Sequence, residues 1–194
     1  MLVWAVMGAI LWTFAEYVIH RFDGHGMKGK TPFSREHLAH HADPSYFASS
    51  WKKLGVATLV GLGLSTATGT LFGWSFGLGF TTGFLVMYGA YEVVHRRIHT
   101  HAPLNAYGRW ARRHHLLHHH GNPRLNHGVT SPFWDWVFGT LQVADGVVGV
   151  PVRRAPSWLR DPATGRVAEA FAHQFALRGR PPGGQPTGVR AIRD

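Results

Sequence analysis

Ten of the fifteen histidines fall into four short clusters with spacings that suit metal coordination. His20 and His25 form HxxxxH, His37, His40 and His41 form HxxHH, His95 and His99 form HxxxH, and His115, His118 and His119 form a second HxxHH. On a helix, residues i, i+3 and i+4 share a face, so each HxxHH predicts three converging imidazoles. His95 and His99 are likewise i, i+4 neighbours. His20 and His25 diverge on a regular helix, and Gly24 and Gly26 predict a turn that folds His25 back. Ten neutral imidazoles with few carboxylates suit two divalent metals, each with about five nitrogen donors and an open position. Structural zinc is usually satisfied by four ligands, so iron fits better, with zinc able to replace it.

The clusters repeat in register. Glu16-Tyr17-Val18-Ile19-His20-Arg21 echoes Tyr91-Glu92-Val93-Val94-His95-Arg96, and each half ends in HxxHH. An adventitious His-rich surface would not keep such a register. Glu16 and Glu92 precede His20 and His95 by four and three residues. They are expected to accept hydrogen bonds from the ligand imidazoles, which fixes the tautomer and raises ligand basicity. His127, in a loop, is expected to support the ligands in the same way. His120 points away from the His115/His118/His119 face, His114 lies at its edge, and His101 lies just past His99. His173 reads as a surface residue.

The elements that must hold these clusters are apolar. Met1–Ile19 is broken only by Thr13 and Glu16, and Leu54–Tyr91 carries no charge. The first is long enough for one membrane crossing of about 30 Å and the second for two, turning near Leu71–Phe76. A fourth, re-entrant segment would fall at Phe133–Val143. Ser34 is the expected N-cap of the first HxxHH helix, with Asp43-Pro44 as its stop, and Gly121-Asn122-Pro123 ends the second. All 20 Lys and Arg lie in Arg21–Lys53 or Arg96–Arg193. Three spans put both basic segments on one side, the cytoplasm by the positive-inside bias. The fold class is therefore all-α: an integral-membrane helical protein of three spans, or four, with a cytoplasmic His-rich helical cap. The membrane is taken to be a bacterial inner membrane. Residues 1–150 form the membrane-embedded part with the histidine clusters, and 151–194 a Pro/Gly/Arg-rich cytoplasmic tail. Within that tail Val167, Ala170, Phe171 and Phe175 have helical spacing, and Arg178–Asp194 reads as disordered.

This distribution excludes several classes. Confinement of charge to one membrane face argues against nucleic acid as the partner of a chain with 20 basic and 10 acidic residues. With no cysteine, thiolate-bound zinc, iron–sulfur clusters and thiolate-bound haem are ruled out. A metal transporter would want ionisable residues inside its spans, and Leu54–Tyr91 has none.

The order HxxxxH, HxxHH, HxxxH, HxxHH, followed by Asn126-His127-Gly128-Val129-Thr130-Ser131-Pro132-Phe133-Trp134-Asp135 and Phe138-Gly139-Thr140, resembles the fatty acid hydroxylase/sterol desaturase superfamily. The resemblance covers roughly residues 12–141. It implies a non-haem dimetal centre that uses O2 to oxidise a lipid C–H bond. Its ligands would be His20, His25, His37, His40, His41, His95, His99, His115, His118 and His119. Hydroxylation of a fatty acyl chain or related membrane lipid is the expected reaction. Carotenoid ring hydroxylation and lipid desaturation stay open as alternatives, and a non-enzymatic metal transporter or sensor stands behind them. No flavin, haem or iron–sulfur motif is visible, so electrons would come from an external ferredoxin or cytochrome. The oligomeric state is not legible.

Overall fold

A computed structural model describes residues 1–179 of the chain. Helix α1 (Leu2–Val18) continues without a break into a π-helical run at Ile19–Gly26. Helices α2 (Pro32–Ala42), α3 (Ser50–Phe72), α4 (Trp74–Thr100) and α5 (Ala106–His120) follow, then the short α6 (Phe133–Val137). Strands β1 (Val148–Pro151) and β2 (Phe175–Arg178) pair in parallel, Val148 opposite Phe175 and Pro151 opposite Arg178.

The long helices pack as a flat trio, with α4 against both α1 and α3. Small residues set the approach. A Cβ on Gly83 would fall 1.8 Å from the Ala5 carbonyl oxygen, and one on Gly8 would fall 1.9 Å from that of Phe80. A Cβ on Gly77 would fall 2.6 Å from the Gly69 Cα between α3 and α4. Where apolar surface gives no net drive between helices, such close packing is what holds them together. Gly73, at φ 91°, breaks the chain between α3 and α4 where the hairpin turn was expected.

Two of the described helices are long and apolar enough to cross a membrane: Leu2–Gly26, which takes in the π-helical run, and Ser50–Phe72. Only 17% and 11% of those stretches are buried, which separates them from the core helix of a soluble domain. Leu2, Leu59, Leu71 and Phe72 all face outward. Helix α4 is longer, at 27 residues, but glycine and threonine dilute its apolar character. The Phe133–Val143 segment forms the five-residue α6 rather than a longer apolar insertion.

Three local expectations change. Thr31, not Ser34, caps α2: its side chain accepts from the Ser34 N–H, with Pro32 in the first turn. That position suits proline, whose missing N–H has no helical partner there. The Ser34 hydroxyl instead donates to the Gly24 carbonyl, tying α2 to the π-helical run. The helical spacing at 167–175 becomes a 3-10 turn at Glu169–Phe171 and strand β2, because Phe175 packs into a cluster with Leu116, Val148, Val150 and Leu159. The boundary placed at residue 150 falls inside β1. Of the segment read as disordered, Arg178 closes β2 and residues 180–194 lie outside the described part.

Candidate metal centre

The π-helical run solves the HxxxxH spacing. An α-helix turns about 100° per residue and would send His25 away from His20. Widening to i→i+5 bonding brings residues five apart onto one face. No fold-back turn is needed: the His20 and His25 rings stack at 5.2 Å between centroids. Gly24 keeps the run clear of α2, since a Cβ there would meet the His37 ring at 2.9 Å.

The ten box imidazoles gather into two groups of five. His20, His25, His37, His41 and His118 form the first, and His40, His95, His99, His115 and His119 the second, each with its donor atoms within 4.8 Å of one another. The HxxHH faces do not converge as units. Residues i and i+4 lie about 40° apart around a helix, with i+3 about 60° to the other side. His37 and His41 therefore join the first group while His40 joins the second, and α5 divides its rings in the mirror sense. Each half of the repeat supplies four rings to its own group and lends one to the other. The groups meet where His41 stacks flat on His119, 4.0 Å between centroids.

Hydrogen bonds fix which nitrogen faces inward. Nδ1–H of His20 donates to the His127 carbonyl at 2.5 Å, that of His118 to the Leu125 carbonyl at 2.6 Å, and that of His40 to the Tyr46 carbonyl at 2.8 Å. A carbonyl only accepts, so in each neutral ring Nε2 is a bare lone pair. His20 and His118 nevertheless bring those Nε2 atoms to 3.0 Å, and His41 and His25 come within 3.1 Å of His118. In the second group Nε2 of His99 lies 3.2 Å from His40 and 3.0 Å from His115, while Nε2 of His95 and His119 are buried without a protein partner among the described residues. Lone pairs facing each other at this distance repel unless a shared cation lies between them. Protons are a poor substitute: burial first, and neighbouring imidazoles second, hold His37, His115, His118 and His119 well below the usual histidine range. Burial takes His40 down to about 4. Both groups thus fit divalent metals bound by neutral nitrogen donors.

The supporting carboxylates are not where the repeat placed them. Glu16 is buried but touches no imidazole: it accepts from the backbone N–H of Val129 and Thr130 and from the Thr130 hydroxyl. Glu92 turns toward α3, where it pairs with Lys53 at 2.5 Å. One residue of phase explains the difference, since Glu92 occupies the position of Tyr17 in the repeat and not that of Glu16. His127 meets His20 through its carbonyl rather than its ring. His114 is buried against Asp135 at 3.4 Å, His101 and His173 are exposed, and His120 belongs to neither group.

Asp135 is the residue that spacing did not single out. It is fully buried and accepts from the N–H groups of His127 and Gly128 and from the Thr140 hydroxyl. Burial would raise its pKa, but the adjacent His114 and His127 rings, the Thr140 hydroxyl and the Gly128 N–H outweigh that and hold it well below the usual carboxylate range. The available signal was a lone acid inside the apolar run Phe133–Phe138. Arg21 donates to the Tyr17 hydroxyl at 2.6 Å, which lies 3.0 Å from Thr140 and so extends the network to the surface.

The fatty acid hydroxylase family model matches residues 5–140. A dihydroceramide fatty acyl 2-hydroxylase of Arabidopsis thaliana is 32% identical over 149 residues, covering 70% of this chain and 59% of that one. A ceramide very long chain fatty acid hydroxylase of Saccharomyces cerevisiae is 31% identical, covering 69% and 36%. The fatty acid 2-hydroxylase of Homo sapiens is 28% identical, covering 70% and 38%. Among solved structures, full-length scs7p, of which the hydroxylase domain is visible, matches with a TM-score of 0.61 at 30% identity, over 74% of this chain and 58% of that one. The chain therefore spans less than two thirds of the length of these relatives.

Proposed function

Because the chain belongs to the fatty acid hydroxylase family, we propose that it hydroxylates the acyl chain of a membrane lipid with O2 and external electrons. The observation that carries this reading is the pair of five-imidazole groups whose bare Nε2 atoms converge. The ten residues assigned as ligands are His20, His25, His37, His41 and His118 for one metal, and His40, His95, His99, His115 and His119 for the other. Iron is the proposed metal, with zinc able to replace it. The metal pair, when bound, supplies O2 activation and attack on an unactivated C–H bond, which side-chain acids and bases cannot perform.

The protein's own part is to bind, orient and keep dry. Depressed imidazole basicity keeps the donors neutral at physiological pH. Phe47 packs on His40 at 5.2 Å and lies about as near His95 and His99, with the Arg96 guanidinium over its outer face at 4.4 Å, so this side of the second group is apolar. A groove of about 680 Å³ between α3 and α4 is lined by Trp51, Leu54, Tyr88 and Val93, with Lys53, Glu92 and Arg96 beside them. Its apolar wall suits an acyl chain, with the polar end at the charged rim. The Arabidopsis and human relatives are named as 2-hydroxylases of a fatty acyl group or fatty acid, and the Arabidopsis and yeast names add dihydroceramide and ceramide. Oxidation close to the headgroup end agrees with imidazoles that begin where the apolar helix ends.

In this reading α1, α3 and α4 are the spans, and the imidazole cap and C-terminus face the cytoplasm. The catalytic part lies within residues 1–150, and β1 carries the chain across that boundary into a cytoplasmic tail. The basic cytoplasmic face suits an acidic ferredoxin or cytochrome as electron donor. Elemental analysis of the purified chain tests the metal assignment. About two transition-metal equivalents are expected, and a stoichiometry near zero after metal-replete expression would sink the reading.

A further inference from the structure

Asp135 stands outside both imidazole groups, yet it grips the one peptide unit on which His20 hangs. Its Oδ2 accepts the Gly128 N–H at 2.8 Å, and the other end of that same peptide, the His127 carbonyl, accepts Nδ1–H of His20 at 2.5 Å. A peptide is planar and trans, so its N–H and C=O point in opposite directions and fixing one fixes the other. The carboxylate also polarises the unit, because hydrogen bonds in a chain strengthen one another where the dielectric is low.

The surroundings hold this arrangement from three sides. Oδ1 of Asp135 accepts the His127 N–H at 2.8 Å and the Thr140 hydroxyl at 2.7 Å. Glu16 takes the next two N–H groups, Val129 at 2.5 Å and Thr130 at 2.9 Å. Gly128 leaves no room to retreat, since a Cβ there would lie 3.0 Å from Asp135 Oδ2 and 2.1 Å from the Ser131 carbonyl oxygen. In the second group the ring with a backbone carbonyl partner is His40, and that carbonyl belongs to Tyr46, on a different connection.

We propose that Asp135 is a positioning residue for His20, acting through the His127–Gly128 peptide, so that one of the two metal positions depends on Asp135 and the other does not. This extends the familiar pairing of carboxylate and ligand imidazole by one interposed peptide. It rests on the assignment of the two imidazole groups as metal sites.

Stepwise titration of the metal-stripped, full-length chain in detergent with Co2+, followed by its visible absorption bands, tests it. Wild type should take up two equivalents. Asp135→Asn should weaken one of them by about 10- to 100-fold and shift its bands, leaving the other in place. In a double-mutant cycle Asp135→Asn should add nothing once His20→Ala is present, and should add fully to His99→Ala. Val150→Ala, which thins the distant strand cluster, should lower thermal stability and leave both equivalents unchanged. If Asp135→Asn does not fold, Thr140→Val removes one donor to the carboxylate and should weaken the same equivalent to a smaller degree. Equal loss of both equivalents, no loss, or additivity with His20→Ala would overturn the inference while the metal sites stand. Wild type that takes up no Co2+ would overturn the metal assignment itself, and this inference with it.

Discussion

His20 and His118 each spend their single ring proton on a backbone carbonyl, and this is why their inward nitrogens, 3.0 Å apart, suit a cation between them. His118→Ala should accordingly cost about one of two metal equivalents, whereas His173→Ala, outside both groups, should cost none; metal analysis of the two variants decides it. The carboxylates differ in the same way. Glu16→Gln should loosen metal retention because it frees the Val129–Thr130 backbone, while Glu92→Gln loses only a half-buried pair with Lys53, about 1 kcal/mol or less, and keeps both metals. Acid should act on the metal-free protein in a definite direction. The buried imidazoles have pKa values below the unfolded value of about 6.5, so the unfolded chain takes up protons first as pH falls. Stability present above pH 6.5 is then lost through the window down to about 4, the value for His40. Thermal melts of stripped protein between pH 7.5 and 4.5 should show Tm falling with pH, and a flat profile would contradict the burial argument.

At the scale of elements, two devices bring the clusters together, and only one was legible beforehand. The hairpin turn at Gly73, the apolar helices and the end of α5 near Gly121 followed from charge and glycine placement. The π-helical run did not, because Gly24 and Gly26 point to a fold-back turn where a widened helix carries HxxxxH instead. The division of each HxxHH between two groups was also hidden, since spacing gives a face but not the 100° between its edges. Asp135 escaped because its role runs through backbone, which side-chain spacing does not encode. The helix trio makes its own prediction. Gly83→Val would place Cβ 1.8 Å from the Ala5 carbonyl oxygen and push α1 from α4, costing about 1–3 kcal/mol. Thermal unfolding in detergent should show a Tm several degrees lower; an unchanged Tm would mean that α1 and α4 do not meet there.

Across the whole molecule, α1 and α4 end and α3 begins on the side where both imidazole groups sit, and the sequence keeps all 20 Lys and Arg out of the apolar stretches Met1–Ile19 and Leu54–Tyr91. Reporter fusions after Lys53 and at the C-terminus should read cytoplasmic, and one at Gly73 external; an external signal from either of the first two would require a different set of spans. If the charge serves to dock a donor, protein-driven turnover should slow as salt rises while turnover with a saturating small reductant should not. Identical salt responses would place the charge elsewhere, with lipid headgroups as its partners. The central claim is oxygen insertion into a lipid at the paired imidazole groups. Cells expressing the chain under 18O2 should accumulate acyl lipid heavier by one labelled oxygen, and His118→Ala should abolish it. Metal-loaded protein with a working donor and an unchanged lipid profile, or product oxygen drawn from water, would contradict it.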